Sequence, residues 1–70
     1  MQLLKDLIIE ILQRRGMATD RELSEAIYGS DRQHQTINGE CRHLANIGLI
    51  VRSKGDDGII RNSLAAAKAA

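Results

Sequence analysis

Between residues 36 and 61 the apolar pattern of this chain changes period once, at a glycine. Ile37, Cys41 and Leu44 recur at four- and three-residue steps, the spacing of one helix face. Gly48 then supplies a left-handed stop. Directly after it, Leu49 to Ser53 reads as a strand, Lys54-Gly55-Asp56-Asp57-Gly58 as a turn, and Gly58 to Asn62 as a second strand. A helix that passes at once into a hairpin leaves few architectures open. A two-stranded hairpin is not stable alone, so this one must pack back on the helices. Leu49, Val51 and Ile60 are the expected contacts.

The upstream sequence supplies those helices. Leu3, Leu4, Leu7, Ile8, Ile11 and Leu12 form one stripe, which predicts a helix over residues 2–15. Gln2, Asp6, Glu10 and Gln13 fall on its opposite face. Gly16 is its stop, and Arg14 and Arg15 suit the negative end of the helix dipole. Met17-Ala18 is a short link with room for a one- or two-residue strand pairing with the hairpin. Thr19 followed by Glu22 fits a capping box. It opens a second helix over residues 20–28, with Leu23, Ala26 and Ile27 inward. Gly29-Ser30-Asp31 is a turn, and the third helix is expected from Arg32 to Ile47. Its inward residues are Ile37, Cys41, Leu44, Ala45 and Ile47. Gly39 interrupts this helix on or near its outward face, at a cost of about 1 kcal/mol against alanine. It is either a tolerated glycine or a point of close approach for a partner.

Seventy residues make one domain with a small core. Tyr28 is the only aromatic residue, so the core must be aliphatic. The single cysteine, Cys41, excludes an intramolecular disulfide and a multi-cysteine metal site. It reads as a small core hydrophobe. No apolar run approaches the roughly 20 residues that span a bilayer, and the N-terminus does not read as a signal peptide. A cytoplasmic location is expected. The formal charge is +1, but it is unevenly spread. Residues 1–31 carry Lys5, Arg14, Arg15 and Arg21 against Asp6, Glu10, Asp20, Glu22, Glu25 and Asp31, a net of −2. Residues 32–54 carry Arg32, Arg42, Arg52 and Lys54 against Glu40, a net of +3. Excess positive charge thus falls on the third helix and first hairpin strand, as an electrostatic footprint for nucleic acid requires.

This order of three helices and a hairpin resembles the winged helix-turn-helix family, in particular its bacterial repressor-like members. The register Ile37, Cys41, Leu44, Gly48, Leu49-Ile50 carries the resemblance, and Arg52 falls where a basic residue often starts the wing. The likeness covers roughly residues 3 to 62. It implies a mainly α fold with a small β-hairpin, residues 1–62 as the domain and 63–70 as an alanine-rich tail or linker. It further implies double-stranded DNA as partner, with the third helix in the major groove and the hairpin beside the backbone. One departure is the turn: many DNA-binding wings are basic at the tip, whereas this one carries Asp56-Asp57.

The third helix's outward residues suit such a role. Gln33, Gln35, Thr36, Asn38 and Arg42 are types that read base edges. Arg32, His43, Arg52 and Lys54 suit phosphates. The bland alternative is an ordinary solvated helix face. His34 and His43 are out of phase on a helix and make a poor metal site with Cys41. Neither a nucleophile–base pair nor a phosphate-cradling glycine loop is found. No enzyme activity, cofactor or metal is therefore expected. A module this small would gain affinity as a homodimer or attached to a larger protein. A transcription regulator and the targeting domain of a DNA-processing protein both fit. The rival expectation is a winged helix that binds another protein, and the acidic turn favours it. RNA is a third option, although no aromatic platform exists for stacking bases.

Overall fold

The computed structural model describes residues 3–65. Helix α1 (Leu4–Arg15) is followed by strand β1 (Met17–Thr19) and helix α2 (Asp20–Tyr28). A 3-10 turn over Asp31–Gln33 leads into helix α3 (His34–Asn46), and strands β2 (Ile50–Lys54) and β3 (Ile60–Leu64) close the domain. The three strands form one antiparallel sheet in the order β1-β3-β2. The short link after α1 is therefore a strand, with Met17 opposite Ser63 and Thr19 opposite Arg61. Among the described residues no helix is long and apolar enough to cross a membrane. Gln2 and residues 66–70 of the alanine-rich tail lie outside the described residues.

Local chemistry sets the helix ends. Thr19 Oγ1 accepts from the Glu22 amide at 3.1 Å, and Glu22 Oε1 accepts from the Thr19 amide at 2.9 Å, which completes the capping box. At the end of α3 the Gly48 amide donates to the Ala45 carbonyl and the Leu49 amide to the Leu44 carbonyl, with Gly48 at φ 85°. This is the paired Schellman closure, and it needs a residue tolerant of positive φ. The helix expected from Arg32 begins later because side chains intercept the first amides. Ser30 Oγ accepts from the Arg32 amide, and the buried Ser24 Oγ accepts from the Gln33 amide while donating to the Ser30 carbonyl. Ser24 thus fastens the corner between α2 and α3, a role that its exposed-looking residue type concealed.

Ile8, Leu12, Ala18, Leu23, Ile37, Cys41, Leu44 and Ile50 form the core, flanked by Leu4, Ile9, Ile11, Ile27, Ala45 and Leu64. Leu3, Ala26 and Ile47, expected inward, are exposed. The hairpin shows the largest difference. Leu49, Val51 and Ile60 are exposed, whereas Ile50 is buried. The inward face of the hairpin is Ile50, Arg52, Asn62 and Leu64, in the pairs Ile50↔Leu64 and Arg52↔Asn62. A one-residue change of phase moves every strand side chain to the other face. Both strands also sit further along the chain than expected, at Ile50–Lys54 in place of 49–53 and at Ile60–Leu64 in place of 58–62, with β3 as the central strand paired on both sides. Ser63 and Leu64 therefore belong to the sheet rather than to a tail.

Cys41 is fully buried. Burial pushes its thiol up to about 12, reinforced by the charge of Asp20 and partly opposed by Arg52. A protonated, enclosed thiol reacts only when the chain opens. At pH 8 its reaction with an aromatic disulfide reagent is expected to be at least about a hundredfold slower in the native protein than in the urea-unfolded chain, given a marginal stability of several kcal/mol. Equal rates would show that the core around Cys41 is open.

Candidate nucleic-acid interface

Helix α3 buries Ile37, Cys41 and Leu44 and so must present its other faces outward. Gln35, Thr36, Gly39, Arg42 and His43 are exposed on it, as are Arg32 and Gln33 on the preceding turn. A Cβ added at Gly39 would meet nothing within 4 Å, so the fold does not require glycine there. Lys54 is exposed at the far end of β2. Seven of the nine residues singled out in the sequence therefore lie at the surface: Arg32, Gln33, Gln35, Thr36, Arg42, His43 and Lys54.

The other two, Asn38 and Arg52, turn inward. Arg52 Nη1 donates to Asp20 Oδ1 at 3.0 Å and to Asn62 Oδ1 at 2.8 Å. The two charged side chains are only 12% and 16% exposed. Asn38 Nδ2 donates to Asp20 Oδ2 at 3.0 Å. Asn62, fully buried, donates from Nδ2 to Asp20 Oδ1 at 2.8 Å and to the Ala18 carbonyl at 3.1 Å. One carboxylate at the start of α2 thus gathers donors from α3, β2 and β3. Burial raises the Asp20 pKa, but hydrogen bonds from Arg52, Asn38 and Asn62 and the Arg52 charge outweigh it and hold the carboxyl below 3.8. No buried side-chain nitrogen or oxygen among the described residues lacks a partner. Asp20 and Asn62 were not singled out as site residues in the sequence. Asp20 looked like a helix-start residue and Asn62 like a strand end, and no local signal links positions so far apart.

The hairpin turn is also internally tied. The Gly58 amide donates to the Gly55 carbonyl and the Gly55 amide to the Ile59 carbonyl, with Gly58 at φ 81°. That is a tight turn followed by a left-handed residue, a common three-residue hairpin loop. Asp57 accepts from Arg61 Nη2 at 2.9 Å and Nη1 at 3.2 Å, and from the Ile59 amide at 3.1 Å. These bonds lower its carboxyl to about 2. Of the acidic pair, Asp57 is thus neutralised from within, and Asp56 is the remaining carboxylate at the tip. Between the hairpin and the helices lies a cleft of about 340 Å³, lined by Arg52, Ile59 and Ile60 of the hairpin and by Asp20, His34 and Asn38 of the helices. His34 Nδ1 is 3.0 Å from the Asp31 carbonyl oxygen. No cluster of three or more metal-ligating side chains occurs among the described residues.

Geometry thus defines a small, mostly helical domain with a three-stranded antiparallel sheet and a polar helix face beside a projecting hairpin. Comparison with family models, with curated proteins and with solved structures finds no match to this chain.

Proposed function

We propose that this chain is a winged helix-turn-helix module that binds double-stranded DNA, with α3 in the major groove and the β2–β3 hairpin, the wing, along the adjacent backbone. The observation that carries this reading is the exposed polar face from Arg32 to His43, which ends beside the hairpin. Gln33, Gln35 and Thr36 lie at the start of α3, where a recognition helix meets base edges. Arg42, assigned to base edges from its residue type, lies toward the far end of α3 and joins Arg32, His43 and Lys54 in the phosphate-contacting set. Asn38 and Arg52 hold the scaffold instead of touching DNA. Pairing of Asp57 with Arg61 removes part of the repulsion that an acidic tip would exert on phosphate. Regulation of transcription, or targeting of a DNA-processing protein, is the matching role, with dimerisation or attachment to a larger protein adding affinity.

A second reading, a protein-interaction winged helix, is favoured by one specific observation. Val51, Ile59 and Ile60 leave apolar surface on the wing. Amide shifts separate the two readings. On addition of a 16-base-pair duplex at low salt, the α3 amides from Gln35 to His43 should move, and Arg42→Ala should weaken binding about tenfold. Gln13→Ala, on an exposed position of α1, should leave the affinity unchanged. Still α3 amides, or equal losses in the two variants, would turn the assignment toward a protein partner or a different face.

A further inference from the structure

Besides the backbone pairing of β3 with β1, which runs from Met17–Ser63 to Thr19–Arg61, side chains hold the wing to the helical body in two different ways along its length. At its base Ile50 and Leu64 pack into the core cluster. One pair further out, Arg52 and Asn62 reach Asp20, and Asp20 reaches Asn38 on α3. Beyond that point Ile59 and Ile60 are 47% and 39% exposed and stand over the 340 Å³ cleft instead of resting on α3. Apolar packing therefore ends before the distal half of the wing begins.

We propose that Asp20 is a positioning residue: its carboxylate, bonded at once to Asn38, Arg52 and Asn62, is the latch that fixes the angle between the wing and α3 across the open cleft. An apolar contact would tolerate sliding, whereas three donors converging on one carboxylate define a direction. Its two oxygens join three elements: Oδ2 takes the α3 donor and a longer bond of 3.4 Å from Arg52 Nη2, and Oδ1 takes the Asn62 donor and the 3.0 Å bond from Arg52 Nη1. The latch is internally neutral, so it sets geometry without adding charge to the surface. Its consequence for DNA rests on the winged-helix reading. A wing of fixed pitch would place Lys54 at a set distance from the α3 face, so that groove and backbone are contacted together.

Residual dipolar couplings of the free protein test the latch without any nucleic acid. In the wild type, amides of α3 and of residues 52–61 should fit one alignment tensor. Asp20→Asn, which removes the charge and one acceptor, should reduce the hairpin couplings relative to those of α3 and break the common fit. If Asp20→Asn does not fold, Asn38→Ala, which removes only the α3 arm, decides in the same way. Ile37→Val, a core change outside the latch, should retain one tensor. A single tensor in the folded latch variant would overturn the proposal. DNA titration of the wild type is a separate readout, so failure of the DNA reading and failure of the latch are distinguishable.

Discussion

Asp20→Ala is expected to lower the melting temperature by about 15 °C or more, and to leave the domain largely unfolded near 37 °C. The reason lies in what remains behind. Arg52 is 12% exposed, and its guanidinium would lose its only counter-charge in the buried network, while Asn38 and Asn62 would lose an acceptor. Breaking a buried ion pair from one side costs about 3–5 kcal/mol. A domain of this size has only about 3–10 kcal/mol in total, and each kcal/mol is worth about 4–8 °C. Arg21→Ala supplies the contrast. Its pair with Asp31 is open to water, with side chains 64% and 46% exposed, and should be worth less than about 1 kcal/mol. The Asp20 effect also has a pH signature. The folded state holds the carboxyl below 3.8 and so favours its ionised form. Stability from Asp20 is then full above the unfolded value and lost as pH falls through the folded one. The gap between wild type and Asp20→Ala should stay constant from neutral pH down to about pH 5 and narrow below about pH 4, as read by urea melts. A gap that widened on acidification would contradict the assigned network.

Leu44→Ala is expected to cost about 3 kcal/mol, enough to abolish a cooperative thermal transition or bring it near room temperature. Leu44 is fully buried on α3, in a core with no aromatic side chain to relax into the gap. Its loss leaves a cavity among Ile8, Leu12, Leu23, Ile37 and Ile50, which come from four separate elements. Ile47→Ala, three residues on, should change stability by no more than about 0.5 kcal/mol, because Ile47 is 54% exposed. Circular dichroism melts of the two variants check the inward face of α3. Similar losses at positions 44 and 47 would mean that the helix is rotated from the face described.

This contrast also shows where the sequence was legible. Ile37, Cys41 and Leu44 are separated by polar residues, so their spacing has a phase, and all three are buried. The Thr19–Glu22 capping box, the stops at Gly16 and Gly48 and the short strand after α1 were equally readable, since each depends on residues within a few positions. Around the hairpin the phase was lost. Leu49-Ile50-Val51 and Ile59-Ile60 are continuous apolar runs, which carry no alternation to tell inside from outside. The residues that fix the hairpin's inner face are Arg52 and Asn62, both of types normally found in water. Their partner Asp20 lies 32 and 42 residues away, and only the folded chain brings the three together. The candidate interface divided along the same line. Helical period places Arg32, Gln33, Gln35, Thr36, Arg42 and His43 outward, and all six are exposed, as is Lys54 on the hairpin, while Asn38 and Arg52 are held by a carboxylate that no local pattern connects to them.

Salt dependence of binding to a short duplex tests the central reading most directly. Three exposed full cations, Arg32, Arg42 and Lys54, border the polar face of α3. If each neutralises one phosphate, counterion release gives log K against log salt a slope of about −2.7 and an affinity loss of roughly 40-fold between 50 and 200 mM. Fluorescence anisotropy with a labelled 16-base-pair duplex at these two concentrations measures it. A steep loss of that order, reduced in slope by about one on Arg42→Ala, is the result the DNA reading predicts. No measurable association at 50 mM, or an affinity indifferent to salt, would contradict it.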